Sequence, residues 1–211
     1  MRIDTLKLTD FRNIESSCLE PHPRFNVIHG LNGQGKTNLL EGIYWLAALR
    51  TPRTNKVREL VSWKRKSCRI DGRIHFQGLD HRLSVEVSDG NRQAYRENKK
   101  VKARDYFGVL SAIIFTPDDG DIIRGGPEKR RKFLDRAIFA GRPQHLDDFL
   151  TYRRALDGRN QLLRDGASDA LIEAYEEPLS KAGALLIESR RRFVEHLAPQ
   201  FKNNLTEILN E

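Results

Sequence analysis

Residues 30–46 read "GLNGQGKTNLLEGIYWL", and the fold follows from them. Gly30, four intervening residues and then Gly35-Lys36-Thr37 fit the pattern G-x-x-x-x-G-K-[ST] in full. Polyphosphate oxygens need backbone N–H groups at close range, and glycines permit that approach because they lack Cβ and tolerate left-handed dihedrals. Gly30, Gly33 and Gly35 supply that freedom, with Leu31, Asn32 and Gln34 completing the loop. Lys36 places an ammonium on the outer phosphates, Thr37 offers its hydroxyl to Mg²⁺, and the helix that opens there turns its positive end toward the anion. The flanks agree. "RFNVIHG" before the loop runs into a glycine as a short buried strand does, and Leu39, Leu40, Ile43, Leu46 and Ala47 after it recur at helical spacing. The stretch predicts a cradle for the phosphates of a nucleotide, with Mg²⁺.

Composition narrows the class. Hydrophobic residues at 38% and charged residues at 31% describe a soluble chain, and no apolar run nears the roughly 20 residues of a membrane span, so no membrane partner is expected. "MRIDTLKLTDFRN" alternates apolar and polar residues as a strand does and lacks the features of a leader peptide, which predicts a cytoplasmic protein. Cys18 and Cys68 have no CxxC partner and fit structural positions in a reducing compartment. The formal net charge of +8 favours an anionic partner, nucleic acid first. The bases concentrate in "LRTPRTNKVRELVSWKRKSCR" and "RQAYRENKKVKAR", either of which can track phosphates or simply solvate the surface.

The hydropathy pattern predicts strands over residues 2–8 and 24–29, a helix over 36–49, a short helical piece over 57–63 and three antiparallel strands between Cys68 and Asn98. "VLSAIIF" at 109–115 reads as a central strand buried on both faces. From Pro127 the alternation gives way to helical spacing, which predicts helices over about 127–140, 145–164 and 169–197, broken at "GRPQ" and "RDGAS", with Pro178 and Pro199 kinking or dividing the last. The fold class is α/β, a mixed sheet around the phosphate-loop helix with a helical arm. The domain boundary is expected at 126/127.

"TPDDGDIIRGGPEKRRKFLDRAI", residues 116–138, is more specific still. Pro117, Asp118, Ile122, Ile123, Gly125, Gly126, Pro127, Arg130, Arg131, Phe133, Leu134 and Asp135 resemble the signature of the bacterial RecF family. "LKLTDFRNI" resembles its first strand and Phe-Arg-Asn turn, and "YRRALDGRNQLLRD" its first arm helix. The resemblance covers essentially the whole chain. It implies a P-loop ATPase head of ABC type, related to SMC heads, and a helical arm. It also implies ATP binding, an ATP-dependent homodimer, and binding of gapped or single-stranded DNA in repair, replication and the SOS response. Recombinase loading with RecR and RecO partners belongs to the same implication, as does a place for Arg12 near the nucleotide. Thr116 stands where related heads carry a glutamine and receives no catalytic role. Arg130 and Arg131 either contact phosphate or fix their helix to acids such as Asp118 or Asp135.

Hydrolysis in this class needs an apolar strand ending in Asp-Glu and a Ser-Gly-Gln type motif. Asp118 and Asp119 follow an apolar run but come after Thr-Pro, and "LSKAGALLIE" at 179–188 lies inside a helical pattern. The expectation is therefore an N-terminal portion of a RecF-like protein, able to cradle ATP, with no catalytic residue assigned and no turnover alone. Two other readings stay open: a P-loop phosphotransferase acting on a small molecule, with "PEKRRKFLDR" as its lid, and a non-catalytic interaction fragment.

Overall fold

The computed structural model describes residues 1–211 except Asn55, Pro143, Asn210 and Glu211, and excepting the side chains of Asp118 and Ala140. The chain divides into two compact units, Met1–Phe115 and Thr116–Glu211, so that the division falls ahead of the expected 126/127 boundary.

The first unit is a six-stranded sheet with one long helix on its apolar face. Its strands are β1 (Arg2–Phe11), β2 (Ile14–Leu19), β3 (Ser67–Phe76), β4 (Leu79–Ser88), β5 (Asn91–Arg96) and β6 (Lys99–Val101), in the order β2-β1-β3-β4-β5-β6 with every pairing antiparallel. Period-two alternation sets the faces. Cys68, Ile70 and Ile74 of β3 are buried together with Leu6 and Leu8 of β1 and Leu83, Val85 and Val87 of β4. The opposite face is polar, where Arg69 pairs with Asp71 at 2.9 Å and with Glu86 at 3.2 Å and lies over the Tyr95 ring. Two-residue turns at Gln77-Gly78, Asp89-Gly90 and Glu97-Asn98, all with positive φ, make the β3–β4, β4–β5 and β5–β6 hairpins.

Helix α1 (Lys36–Ala48) buries Tyr44, Trp45, Leu46 and Ala47 against this face. Close approach depends on two glycines. A Cβ on Gly72 would meet Leu46 Cδ2 at 2.5 Å, and one on Gly42 would meet Leu8 Cδ2 at 2.8 Å. Trp45 stacks on Phe11 with ring centroids 5.6 Å apart, and the buried Tyr106 hydroxyl donates to the Leu46 carbonyl at 2.6 Å. A short 3₁₀ turn (Val57–Leu60) and α2 (Ala103–Tyr106) complete the unit.

Two expected strands are absent. Residues 24–29 and 109–115 have the apolar content of strands but join no ladder among the described residues, leaving Phe25, Val27, Ile113 and Phe115 exposed. A strand exists only when a neighbour takes its N–H and C=O groups, and here neither segment has one. The expected sheet of mixed direction is accordingly antiparallel among the described residues.

The second unit is helical: α3 (Asp121–Arg124), α4 (Pro127–Gly141), α5 (Gln144–Arg164), α6 (Asp169–Glu173) and α7 (Glu176–Leu209). Its core takes in Ile138, His145, Ala155, Ala182 and Leu186. Pro127 occupies the first turn of α4 as expected. The prolines of α7 behave otherwise than expected. Pro178 sits in its first turn, where the missing N–H is needed by no bond, and Pro199 lies inside a helix that continues to Leu209. The break falls instead between Glu173 and Glu176. Pro143 of the "GRPQ" break lies outside the described residues.

Candidate functional site

The loop before α1 has the geometry that its glycines were expected to permit. Gly30, Gly33 and Gly35 adopt φ of +142°, +81° and +95°, and Gly35 is the N-terminal cap of α1. Beside Gly30 and Gly33 there is nothing within 4 Å of where a Cβ would stand, whereas a Cβ on Gly35 would fall 2.8 Å from Asn13 Oδ1. The first intrahelical bond runs from Leu39 N to the Gly35 carbonyl at 2.8 Å, so the amides of Lys36, Thr37 and Asn38 open the helix without an acceptor behind them. A concavity of about 280 Å³ lies here, lined by Asn32, Gly33, Gln34, Gly35, Lys36, Thr37, Asn38 and Arg53. None of these residues is acidic. Lys36 folds back over the loop, its Nζ donating at 2.7 Å to the carbonyls of both Gly30 and Leu31.

A closed circuit of side chains braces the loop from outside. Arg12, at φ +55° in the turn between β1 and β2, donates Nε at 3.1 Å and Nη2 at 2.7 Å to the Glu41 carboxylate, and Nη1 at 2.8 Å to the Glu59 carbonyl. Glu41 is only 1% exposed. It also takes Arg53 Nη1 at 3.3 Å, and Arg53 reaches Asn38 Oδ1 at 2.7 Å. Asn38 donates to Asn13 Oδ1 at 2.7 Å, and Asn13 donates to the Gly33 carbonyl at 2.8 Å. Arg12 and Asn13 are chain neighbours, which closes the ring. Buried Glu41 thus has two cationic partners, the condition under which an ionised carboxylate is tolerated in an apolar setting.

The structure therefore brings Asn32, Gly33, Gln34, Gly35, Lys36 and Thr37 together at one concavity, holds Gly30 and Leu31 against the Lys36 ammonium, and engages the Arg12 guanidinium with the Glu41 carboxylate and the Glu59 carbonyl. Sequence reasoning passed over Asn13, Asn38, Glu41 and Arg53. A signal existed for two of them, since Asn38 and Glu41 lie three residues apart on one side of α1, but nothing local pairs them with a turn some 25 residues earlier.

Residues 2–118 match the family described as the RecF/RecN/SMC N terminal domain. The chain belongs to that family. It is 44% identical over 211 residues to the DNA replication and repair protein RecF of Myxococcus xanthus, an alignment covering 99% of this chain and 56% of that protein. Against RecF of Geobacter sulfurreducens the identity is 38%, over 94% of this chain and 54% of the relative. A solved structure of the recombination mediator protein RecF-ATPrS in the RecFOR pathway superposes with a TM-score of 0.93 at 32% identity, over 99% of this chain and 58% of that one. A second, of RecF-ATP, gives 0.92 at 31% identity over 100% and 58%. The chain thus spans a little over half the length of the relatives it matches. The resemblance to RecF read from residues 116–138 stands, as does the fold class of a P-loop ATPase head with helices.

The family-signature residues of the second unit have structural partners. Asp119 accepts from both the amide and the hydroxyl of Thr116, and Arg130 donates to the Gly125 carbonyl at 2.9 Å, tying down the turn ahead of α4. Asp135 does not pair with Arg130 or Arg131 as offered above; it takes Arg190 in a bidentate pair at 2.7 and 2.8 Å. Residues 179–188 lie within α7. The side chain of Asp118, weighed as a metal ligand, is outside the described residues.

Proposed function

We infer that this chain binds ATP at residues 30–37 as part of a DNA-binding repair and replication protein of RecF type. The observation that carries the reading is Lys36, whose ammonium rests on two loop carbonyls at the mouth of a glycine-lined concavity that the α1 amides open onto. A triphosphate offers that ammonium charged oxygens in place of neutral ones, and charge-assisted hydrogen bonds are about twice as strong as neutral ones. Thr37 is exposed at the helix start and is the residue assigned to Mg²⁺, which would neutralise charge between the outer phosphates. Arg12 is assigned a positioning role through Glu41, with Asn13 and Arg53 setting the shape of the loop.

The names of similar proteins support the wider reading: RecF relatives are described by DNA replication and repair, and the similar structures by ATP and the RecFOR pathway. DNA and RecO- and RecR-type partners are proposed on that basis, and an ATP-dependent homodimer, an SOS role and a cytoplasmic location on the resemblance to the RecF family alone. The boundary at 126/127 remains a proposal for where head and arm divide.

No acid lines the concavity among the described residues, and we assign these residues ATP binding without turnover. In equilibrium titration with a fluorescent ATP analogue, the parent protein saturates and Lys36→Ala does not, while multi-turnover phosphate release from either stays at background. Equal affinity in the Lys36→Ala protein would sink the assignment. A small acceptor that drove steady phosphate transfer would turn the reading to a phosphotransferase.

A further inference from the structure

Two arginines with neutral partners lie at the far end of α1, about 20 Å from the phosphate loop for a helix of 13 residues. A cavity of about 130 Å³ there is lined by Arg50, Thr51 and Arg92 on one hand and by Trp45, Leu49 and Leu60 on the other. Arg50 donates to the Tyr44 hydroxyl at 2.7 Å, and Arg92 donates to the Leu49 carbonyl. Both partners are neutral. Arg12 and Arg53, by contrast, share Glu41, and Arg69 holds Asp71 and Glu86. Neither Arg50 nor Arg92 pairs with a carboxylate among the described residues. Burial pushes the Arg92 guanidinium below its ordinary value with no acid to restore it, although the residue keeps exposed surface from which the cavity can be reached.

The bond to the Leu49 carbonyl just past α1 accounts for one of the five N–H donors of Arg92 and for none of Arg50. Both arginines line one partly apolar cavity, and an oxyanion bound there would give them charged acceptors in place of neutral ones. Apolar walls raise the strength of that contact by lowering the local dielectric.

We propose that the cavity between the C-terminal end of α1 and the start of β5 is a second oxyanion site, which takes a phosphate group through Arg50 and Arg92. The phosphate comes either from free inorganic phosphate or from a nucleic-acid backbone, and the test below separates the two.

Trp45 lines the cavity and is fully buried, and the only other tryptophan, Trp63, is exposed. In a protein carrying Lys36→Ala and Trp63→Phe, the phosphate loop is disabled and Trp45 is the sole reporter, so the outcome does not depend on the nucleotide assignment. Titration with sodium phosphate gives a saturable change in Trp45 emission, and sodium chloride at matched ionic strength does not. Arg50→Gln and Arg92→Gln each move the midpoint at least about tenfold, the loss of one charge-assisted hydrogen bond, and Arg92→Lys recovers part of it. No saturable response, or one unchanged in both glutamine variants, overturns the proposal. If Arg92→Gln loses its native circular dichroism, Arg50→Gln alone decides. A single-stranded oligonucleotide that displaces phosphate from the site identifies the backbone as the source. One that leaves the phosphate response intact identifies free phosphate, and either result upholds the site.

Discussion

Chemistry at single residues here is set by what surrounds them more than by what they are. Glu41 sits in the middle of an amphipathic helix, where its position alone suggests a solvated carboxylate; burial at 1% exposure makes it a structural charge that two arginines must neutralise. The two cysteines diverge for the same reason. Cys68 lies inside the sheet and burial pushes its thiol up to about 12, which leaves almost no thiolate at pH 8, whereas Cys18 is exposed on β2. Titration of the native protein with a chromogenic disulfide reagent at pH 8 should label one thiol rapidly, and both after denaturation. Cys18→Ser should abolish the fast phase. Rapid labelling of two thiols in the native state contradicts the burial argument.

Among the elements, the helices of the second unit are joined by a polar knot. Asp135 of α4 binds Arg190 of α7 and accepts from His145 of α5 at 3.2 Å, and His145 is itself buried. Burial alone would raise the Asp135 carboxyl, but the hydrogen bonds from His145 and Arg190, with their charges, outweigh it and hold the group below its ordinary value. The folded value is depressed, so the contribution to stability is complete above the unfolded carboxylate value of about 4 and is lost as pH falls through the folded value. Asp135→Asn should cost about 1–3 kcal/mol in urea unfolding at pH 7, and the difference between variant and parent should shrink at pH 3. A constant difference across that range would show that the carboxylate's charge contributes nothing. In the first unit the comparable element-scale device is steric: Gly42 and Gly72 let α1 lie close on β1 and β3.

For the molecule as a whole, the net charge of +8 and the open lysines of the β5–β6 hairpin, Lys99, Lys100 and Lys102, bear on the proposed DNA partner. Lysine on the edge strand β6 also discourages strand pairing with another chain, so exposure there serves solubility in any case. If the surface tracks phosphates, affinity for a single-stranded oligonucleotide should fall linearly on a double-logarithmic plot against salt, with a slope of roughly −0.7 for each phosphate contacted. Glutamine at Lys99, Lys100 and Lys102 together should make the slope shallower. Binding independent of salt would remove DNA as the partner of this face. The sequence by itself determined the phosphate loop, the helix behind it, the β3–β4–β5 meander and the helical character of residues 127–209, because each rests on local dihedral demands or on a hydrophobic period that neighbouring residues carry. Tertiary structure alone decided the rest. Residues 24–29 and 109–115 have strand composition without a strand partner, the Asn13–Asn38–Arg53–Glu41–Arg12 circuit joins residues up to 41 positions apart, and the Arg50–Arg92 cavity exists only where β5 meets the end of α1. Hydrogen-bond partners and countercharges supplied from distant parts of a chain leave no periodic trace in it, and so they become visible only when the chain is folded.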